Sequence, residues 1–243
     1  MKKMIFMAMT FIAAISANAQ NIQLHHDFGR DIYSDEEAGR PKTTMTVEQF
    51  KADQWGSWFY FVDVDFSSKF TEGAYTEISR EFNLGKQSPF AAHIEFDGGV
   101  GRNYTIQHAA LIGPAWNGHN ADFSTTYSVQ LMYKHFFKGS EGTNAYSSVQ
   151  LTGVWSTTFA NKALTFSGFI DLWRGEKANR HGQLVLLSEP QLWYNLNTIK
   201  GLEKTRLSIG TEVEISHNFI FNTDPTSGRD TFINPTLALK WTF

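Results

Sequence analysis

Residues 57–66 read Ser-Trp-Phe-Tyr-Phe-Val-Asp-Val-Asp-Phe, and this stretch decides the fold. Its even-numbered positions are all aromatic or aliphatic, whereas its odd-numbered positions include two carboxylates, Asp63 and Asp65. Successive side chains of a β-strand point to opposite faces of the sheet. The stretch therefore predicts a strand with one apolar face and one polar face.

The two-residue period recurs along most of the chain, for example over residues 90–97 and 206–219. No stretch sustains the 3.6-residue period of an amphipathic helix, so helix is expected to be nearly absent. Because proline cannot donate a ladder hydrogen bond, Pro114 is predicted to end the sixth segment and Pro190 to mark a bulge in the tenth. Twelve segments follow the strand period, at about residues 22–28, 42–52, 57–66, 74–84, 90–98, 104–114, 122–136, 145–156, 163–173, 183–194, 204–219 and 231–243.

The composition of the 243-residue chain excludes several functional classes. The absence of cysteine excludes a disulfide framework, thiolate metal sites, a cysteine nucleophile and an acylated lipoprotein. A formal net charge of -3 argues against a general nucleic-acid-binding protein, and an aromatic content of 15% argues against disorder. The mean hydropathy of -0.30 is typical of soluble proteins, but a membrane β-barrel reaches it too because its polar lining offsets its apolar exterior.

The first 19 residues resemble an export signal. Lys2 and Lys3 precede an apolar stretch over residues 4–15, and Ala-Asn-Ala at 17–19 is a cleavage site that would leave Gln20 as the first mature residue. The apolar stretch is shorter than the roughly 20 residues that a membrane-spanning helix needs. We predict a signal peptide over residues 1–19 and one mature domain over residues 20–243; an uncleaved anchor helix is the alternative.

Three features favour a barrel in a membrane over a soluble sandwich. The last segment alternates apolar and polar residues and ends on Phe243, as in strands that the outer-membrane assembly machinery recognises. If both termini lie on the periplasmic side, the odd-numbered connections are mostly the longer ones, which is the barrel habit. Aromatic residues cluster near both sets of turns, as membrane interfaces favour: Trp55, Trp58, Phe90, Trp155, Phe159, Trp193, Tyr194, Trp241 and Phe243 near one set, and Tyr133, Phe136, Phe137, Trp173, Phe219 and Phe221 near the other.

A sheet in hydrocarbon must close on itself, because every backbone N–H and C=O needs a partner there. We therefore predict an all-β fold, a transmembrane antiparallel up-and-down β-barrel of about 12 strands. It is expected to be a monomer in the outer membrane of a Gram-negative cell. The expected partners are membrane lipid, the assembly machinery, which would bind the strand that ends at Phe243, and a small polar solute.

If the apolar faces meet lipid, the polar faces line the bore. Acids outnumber bases there, so the bore should favour cations and neutral polar solutes over anions. Arg80 falls on the lipid-facing side and is expected to extend to the periplasmic interface near Gly85. The residues assigned to the bore are Glu48, Asp63, Asp65, Glu77, Glu81, His93, Glu95, Asp97, Asp171, Glu212 and Glu214, with the bases Lys134, Arg206 and Lys240.

The second hairpin resembles the Tsx family of nucleoside-specific outer-membrane channels. Glu48-x-Phe50, Trp55 and Asp63 carry the resemblance, and Glu77-Ile78 in the fourth segment also fits. The resemblance implies a narrow lumen that holds a nucleoside through aromatic stacking and carboxylate hydrogen bonds. Glu48, Phe50, Asp63 and Glu77 are the matching positions.

The opening residues 21–30, Asn-Ile-Gln-Leu-His-His-Asp-Phe-Gly-Arg, are still more similar to uncharacterised outer-membrane proteins of the Bacteroidota that group near Tsx. The likeness covers about residues 22–97 and the C-terminus. Elsewhere it is only architectural.

Other functions are weighed against a channel. A closed barrel with a structural or binding role and no conductance is the main alternative. An outer-membrane phospholipase would need His217 on the lipid face with a serine from a neighbouring strand, because Ser216 points to the opposite face. His25 and His26 lack a third metal ligand, and the carboxylate pairs Asp63/Asp65 and Glu95/Asp97 are interpreted as lining. We expect no enzyme, no cofactor and no metal.

Overall fold

The computed structural model describes residues 20–67, 69–85, 88–102, 105–139, 143–177 and 180–243. The predicted signal peptide lies outside the described residues. Within them, helix is limited to α1 (Gly29–Ile32) and a 3-10 turn at Leu196–Thr198. No helix in these ranges is long and apolar enough to cross a membrane.

The described chain is almost entirely β-structure. Its strands are β1 (Asn21–Asp27), β2 (Thr43–Ala52), β3 (Gly56–Phe66), β4 (Thr71–Asn83), β5 (Phe90–Gly101), β6 (Thr105–His119), β7 (Thr125–Phe136), β8 (Tyr146–Phe159), β9 (Leu164–Lys177), β10 (Arg180–Ser188), β11 (Gln191–Asn195), β12 (Leu207–His217) and β13 (Thr231–Thr242).

The sheet closes on itself. β13 pairs antiparallel with both β1 and β12, and the remaining strands pair with their sequence neighbours. β10 and β11 both lie between β9 and β12, so they are two halves of one wall strand. The wall therefore has twelve antiparallel strands, which confirms the predicted closed up-and-down barrel.

The break between β10 and β11 falls at Glu189 and Pro190, but the predicted bulge there is wrong, because the register against β9 and β12 is the same on both sides of the break and no residue is inserted. Gly168 lies opposite the break with φ +152°, where a side chain is strained. A Cβ at Gly168 would also lie 2.5 Å from the carbonyl oxygen of Glu189. The proline and the glycine together let the two wall strands stay paired across the irregularity.

The predicted end of the sixth segment at Pro114 is wrong, because β6 continues to His119. Pro114 still pairs with Ala92 of β5. On the other side, the β6–β7 ladder is interrupted between Ile112 and Ala115. The strand tolerates the proline by giving up local pairing on one side only.

The barrel is apolar outside and polar inside. Along β13, Leu237, Leu239 and Trp241 leave about half of their surface exposed, at 54%, 52% and 50%. The alternating positions Thr236 and Ala238 are buried on the inner face. The outer face of the wall is therefore a continuous apolar surface, the reverse of a water-soluble domain.

Arg80 lies on this outer face, beside Trp58 in the neighbouring strand. Its guanidinium lies 2.8 Å from the carboxylate of Asp53 in the β2–β3 turn. It also lies over the rings of Trp58 and Phe82, at 4.9 and 5.1 Å from their centroids. Arg80 therefore extends towards the end of the barrel that holds the β2–β3 turn and the end of β4, with its stem shielded by aromatic rings, and the assignment of this end to the periplasm stays a prediction.

The two ends of the barrel carry different connections. We call the end with Asn21, Thr242 and the connections at 53–55, 120–124, 160–163 and 196–206 the terminal end. The opposite end, the loop end, carries the connections at 28–42 and 218–230.

Candidate functional site

The inward side chains form a hydrogen-bonded polar bore, which is the candidate functional site. Six of the acids predicted to line it accept a hydrogen bond from a neutral side chain. This arrangement fixes each carboxylate without neutralising it. The donor–acceptor pairs are Asn21–Glu48 at 3.0 Å, Thr46–Asp63 at 2.5 Å, Thr44–Asp65 at 2.7 Å, Tyr75–Glu77 at 2.8 Å, Thr152–Asp171 at 2.5 Å and Gln191–Glu212 at 2.6 Å.

His93 lies between two of the other acids. Its Nδ1 is 3.2 Å from Glu81 and its Nε2 is 3.1 Å from Glu95. Glu81 also accepts a hydrogen bond from the amide of Asn117 at 2.7 Å. The imidazole is buried, so this cluster joins β4, β5 and β6 into a rigid part of the lining.

Lys134 occupies the bore near Asp97 and Asp171. Its ammonium donates to Asp97 at 2.9 Å and to Gln150 at 2.8 Å. It also lies 5.0 Å from the ring centroid of Trp173 and 5.1 Å from that of Phe136. Both rings were predicted to lie in an interfacial girdle, and that placement is wrong, because they face a buried cation inside the barrel.

Trp193 is also inside the bore and not in a girdle. It is fully buried, its indole N–H donates to Gln191 at 2.9 Å, and the ammonium of Lys240 lies 4.1 Å from its ring centroid. The sequence carried a signal for this, since Trp193 has the same parity as Gln191, and Trp173 has the same parity as Asp171.

Acids from opposite walls approach one another at mid-height. Glu189, at the Pro190 break, is close enough to Glu77 and Asp63 for their charges to interact. Glu77 interacts in the same way with Asp171. Because β4 and the β10–β11 strand are six wall strands apart, the bore is narrow at this level. Sequence reasoning missed Glu189, although it has the same parity as Gln191 and Trp193 and the strand register continues unchanged across the proline.

At the loop end, two connections form a structure against β1, β12 and β13 that the sequence did not predict. We call residues 28–42 and 218–230 the cap. Arg40 reaches down from the cap to Asp27 at 2.9 Å and Glu214 at 2.8 Å, with Glu37 at 3.8 Å. Glu37 is buried and accepts a hydrogen bond from Asn234 at 2.8 Å. The cap is thus fastened to the inner face of β12 and β13.

Charge and burial compete within the cap. Burial raises the pKa of Glu37, and the nearby Arg40 only partly offsets this effect. Burial alone would lower the pKa of Arg40, but the carboxylates of Glu214 and Asp27 raise it above its ordinary value. Arg40 therefore keeps its charge and holds the acids around it together.

The two cap segments also bind each other. The backbone N–H of Thr223 donates to the carbonyl of Glu36 at 2.8 Å. The side chain of Arg229 donates to the carboxylate of Glu36 at 3.0 Å, which lowers the pKa of Glu36. Tyr33 packs edge-on against Phe232, with ring centroids 5.2 Å apart.

The terminal end opens into a cavity of about 500 Å³, which we call the vestibule. Its lining includes Lys162, Arg206, Thr158, Asn195 and Phe243. Arg206 was predicted to lie inside a strand, but it belongs to the connection before β12. The vestibule is thus polar and partly basic, unlike the acidic bore.

Phe50 lies near the end of β2, at the terminal end of the barrel, and its side chain is more than half exposed. It shares the parity of Glu48, which faces the bore. The structure therefore places three of the positions from the Tsx resemblance, Glu48, Asp63 and Glu77, in the bore and Phe50 near its terminal mouth.

The contacts of His217 and His25 do not match the enzyme and metal sites considered from the sequence. Nδ1 of His217 lies 2.8 Å from the hydroxyl of Thr231, and Ser216 is buried on the inner face. His25 also points inward, 3.0 Å from Gln23. Among the described residues, no serine hydrogen-bonds to His217, which the proposed phospholipase site would require.

The model of a family described as a domain of unknown function (DUF5020) matches residues 19–243. No curated protein matches the chain. Among solved structures, a NanC porin aligns with a TM-score of 0.57 and 12% identity, covering 92% of this chain and 99% of that one. A KdgM porin aligns with a TM-score of 0.47 and 12% identity, covering 92% and 98%. The NanC alignment shows a shared barrel fold.

Proposed function

The chain belongs to the DUF5020 family, and we propose that it is an outer-membrane channel for the passive uptake of small polar solutes. The distribution of polarity in the closed barrel carries this proposal. Large apolar side chains cover the outer wall, and polar side chains fill the bore. Such a wall is stable in hydrocarbon, while the bore offers solutes hydrogen bonds in place of water.

The charge of the bore supports a preference for cations and neutral solutes over anions. The basic side chains of His93, Lys134 and Arg40 each already contact acids. Six further acids accept hydrogen bonds from neutral side chains, and the lysines nearest to the bore, Lys134 and Lys240, are too few to balance them. The excess negative charge at the narrow level would attract cations and repel anions.

Nucleosides are the solute class that we propose to test first. They are neutral and rich in hydrogen-bond donors that carboxylates can accept, and their bases can stack on an aromatic ring. Glu48, Asp63 and Glu77 supply the acceptors in the bore, and Phe50 supplies an exposed ring near its terminal mouth. A solute passing along this path would meet the ring and the acids in turn.

Planar-bilayer recording of the purified full chain tests the proposal. We expect small current steps in potassium chloride, a reversal potential on the cation side, and a reduction of current by adenosine or uridine. Phe50→Ala should weaken the nucleoside effect several-fold, whereas Phe70→Ala, an exposed ring at the loop end, should not. Steps that ignore nucleosides would contradict only the choice of solute.

A closed barrel without conductance is the second candidate, and the cap favours it. Arg40 and Glu37 hold the cap to the inner wall at the loop end, so a permanently fastened cap would stop passage. The same recording separates the candidates, because a complete absence of current steps from folded protein would support the closed barrel. Recognition of β13 by the assembly machinery stays a prediction.

A further inference from the structure

Three carboxylates converge at the narrow level of the bore. One oxygen each from Glu77, Glu95 and Asp97 lie within 4.8 Å of one another. These side chains come from the paired strands β4 and β5, where Glu77 is directly opposite Asp97. The charge of Asp171, from the far side of the bore, acts on the same place.

Each carboxylate of the cluster is anchored by a protein donor. Tyr75 donates to Oε1 of Glu77 at 2.8 Å, His93 lies 3.1 Å from Oε2 of Glu95, and Lys134 donates to Oδ2 of Asp97 at 2.9 Å. The three groups are therefore held in position before any ligand arrives, which is the preorganisation that a binding site needs.

The second oxygen of Asp97 gives an independent indication of a ligand. The side chain of Asp97 is only 6% exposed, and its Oδ1 is buried with no hydrogen-bond partner. Leaving a carboxyl oxygen buried without a donor is costly, so such an atom needs an explanation. A cation shared with Glu77 and Glu95 would satisfy it.

We propose that Glu77, Glu95 and Asp97 bind a hard divalent cation, with Ca²⁺ as the best fit. All three ligands are carboxylate oxygens, which Ca²⁺ prefers, and water in the bore can complete its six to eight ligands. Ca²⁺–oxygen distances of about 2.3–2.6 Å allow ligand oxygens of one ion to be up to about 5 Å apart, which matches the cluster. Mg²⁺ demands stricter octahedral geometry and holds its own waters more tightly.

The ion would lie at the level of the proposed channel where acids from opposite walls interact. Only its effect on transport rests on that proposed function, because the binding site itself needs only the folded barrel. Bound Ca²⁺ would cancel much of the negative charge at this level and reduce the cation preference of the bore.

Calcium titration of the purified, chelator-treated full chain by isothermal calorimetry tests the site. We expect one saturable Ca²⁺ per chain and tighter binding of Ca²⁺ than of Mg²⁺. Glu77→Gln should weaken Ca²⁺ binding at least tenfold, while the amide oxygen can still accept from Tyr75. Glu72→Gln, a matched change of an acid on the same strand outside the cluster, should bind as the wild type does.

A stability measurement is a second test, because Glu77→Gln should weaken Ca²⁺ binding but stabilise the Ca²⁺-free protein. Without Ca²⁺, Glu77→Gln should raise the unfolding midpoint, because it removes one of three repelling charges. With saturating Ca²⁺, the wild type should gain more stability than the variant does. If Glu77→Gln does not fold, Asp97→Asn serves instead, since its amide oxygen can still accept from Lys134.

Absence of saturable binding by the wild type at millimolar Ca²⁺ would overturn the site, and so would equal affinity in Glu77→Gln. Bilayer currents decide the proposed channel separately. Binding without current would contradict only the channel, and current without binding would contradict only the calcium site.

Discussion

The two ends of this barrel close or open the polar bore with different side chains. At the loop end, the cap is fastened inward by a charged network centred on Arg40. At the terminal end, threonine and asparagine side chains surround a vestibule of about 500 Å³. The difference indicates that passage would be controlled at the loop end and that the terminal end would act as a collecting or releasing space.

The chemistry of the two ends supports this division. The cap buries an arginine among Asp27, Glu37 and Glu214, so loosening it would expose or separate several charges at once. Lys162 and Arg206 instead line the vestibule and are exposed to solvent. Each of these charges would act on a passing ion mainly through its electrostatic field. A substitution at the loop end should therefore change structure, and one at the terminal end should change selectivity.

The largest effect is expected from Arg40→Gln. The variant leaves three acids at the mouth without their cation, and because Arg40 is 19% exposed the cost should lie below the value of about 3–5 kcal/mol for breaking a fully buried ion pair. We expect residues 28–42 to exchange their amide hydrogens at least tenfold faster, and the bilayer conductance to rise several-fold. Hydrogen-exchange mass spectrometry and single-channel recording would measure the two effects.

Arg229→Ala is the matched control for this change, because it removes an arginine from the same cap. Its side chain is 46% exposed, against 19% for Arg40. An exposed ion pair contributes little, so exchange and conductance should stay near the wild-type values. Equal effects of the two variants would show that the buried network does not fasten the cap.

The second prediction concerns the terminal end. Arg206→Ala removes a positive charge from the vestibule, so cations should enter more readily and the cation-to-anion permeability ratio should rise by about twofold. Surface charges are screened over about 10 Å at 0.1 M salt, so the reversal potential should be measured at lower ionic strength. Lys200→Ala, which removes an exposed charge outside the vestibule lining, should leave the ratio unchanged.

The parity of the side chains explains how much of this molecule could be predicted from the sequence. The alternation around Asp63 and along β13 was enough for the closed barrel, because lipid leaves few folds for such a pattern. The same alternation placed Arg80 outside. It also assigns Trp173 and Trp193 to the bore, where the structure places them, whereas their proximity to turns predicted an interfacial girdle.

The cap could not be predicted in this way, because its residues follow no period. Arg40 binds Asp27, 13 residues earlier, and Glu214, 174 residues later. Such contacts depend on the closed ring that brings β1 next to β12 and β13. Glu189 is a different case, because the register continues across Pro190 and the parity that it shares with Gln191 would have assigned it to the bore.

The smallest expected effect concerns the ion pair between Asp53 and Arg80 at the terminal end. Hydrogen bonds from Arg80 and from the backbone N–H groups of Trp55 and Gly56 lower the pKa of Asp53 to about 2. Since the ordinary value is about 3.9, the pair should stabilise the folded barrel above pH 4 and lose this contribution as the pH falls towards 2. Asp53→Asn should therefore lower the unfolding midpoint slightly at pH 7, and the difference from the wild type should shrink on acidification. A difference that stays constant from pH 7 to pH 2 would mean that Asp53 acts through its turn geometry and not through its charge.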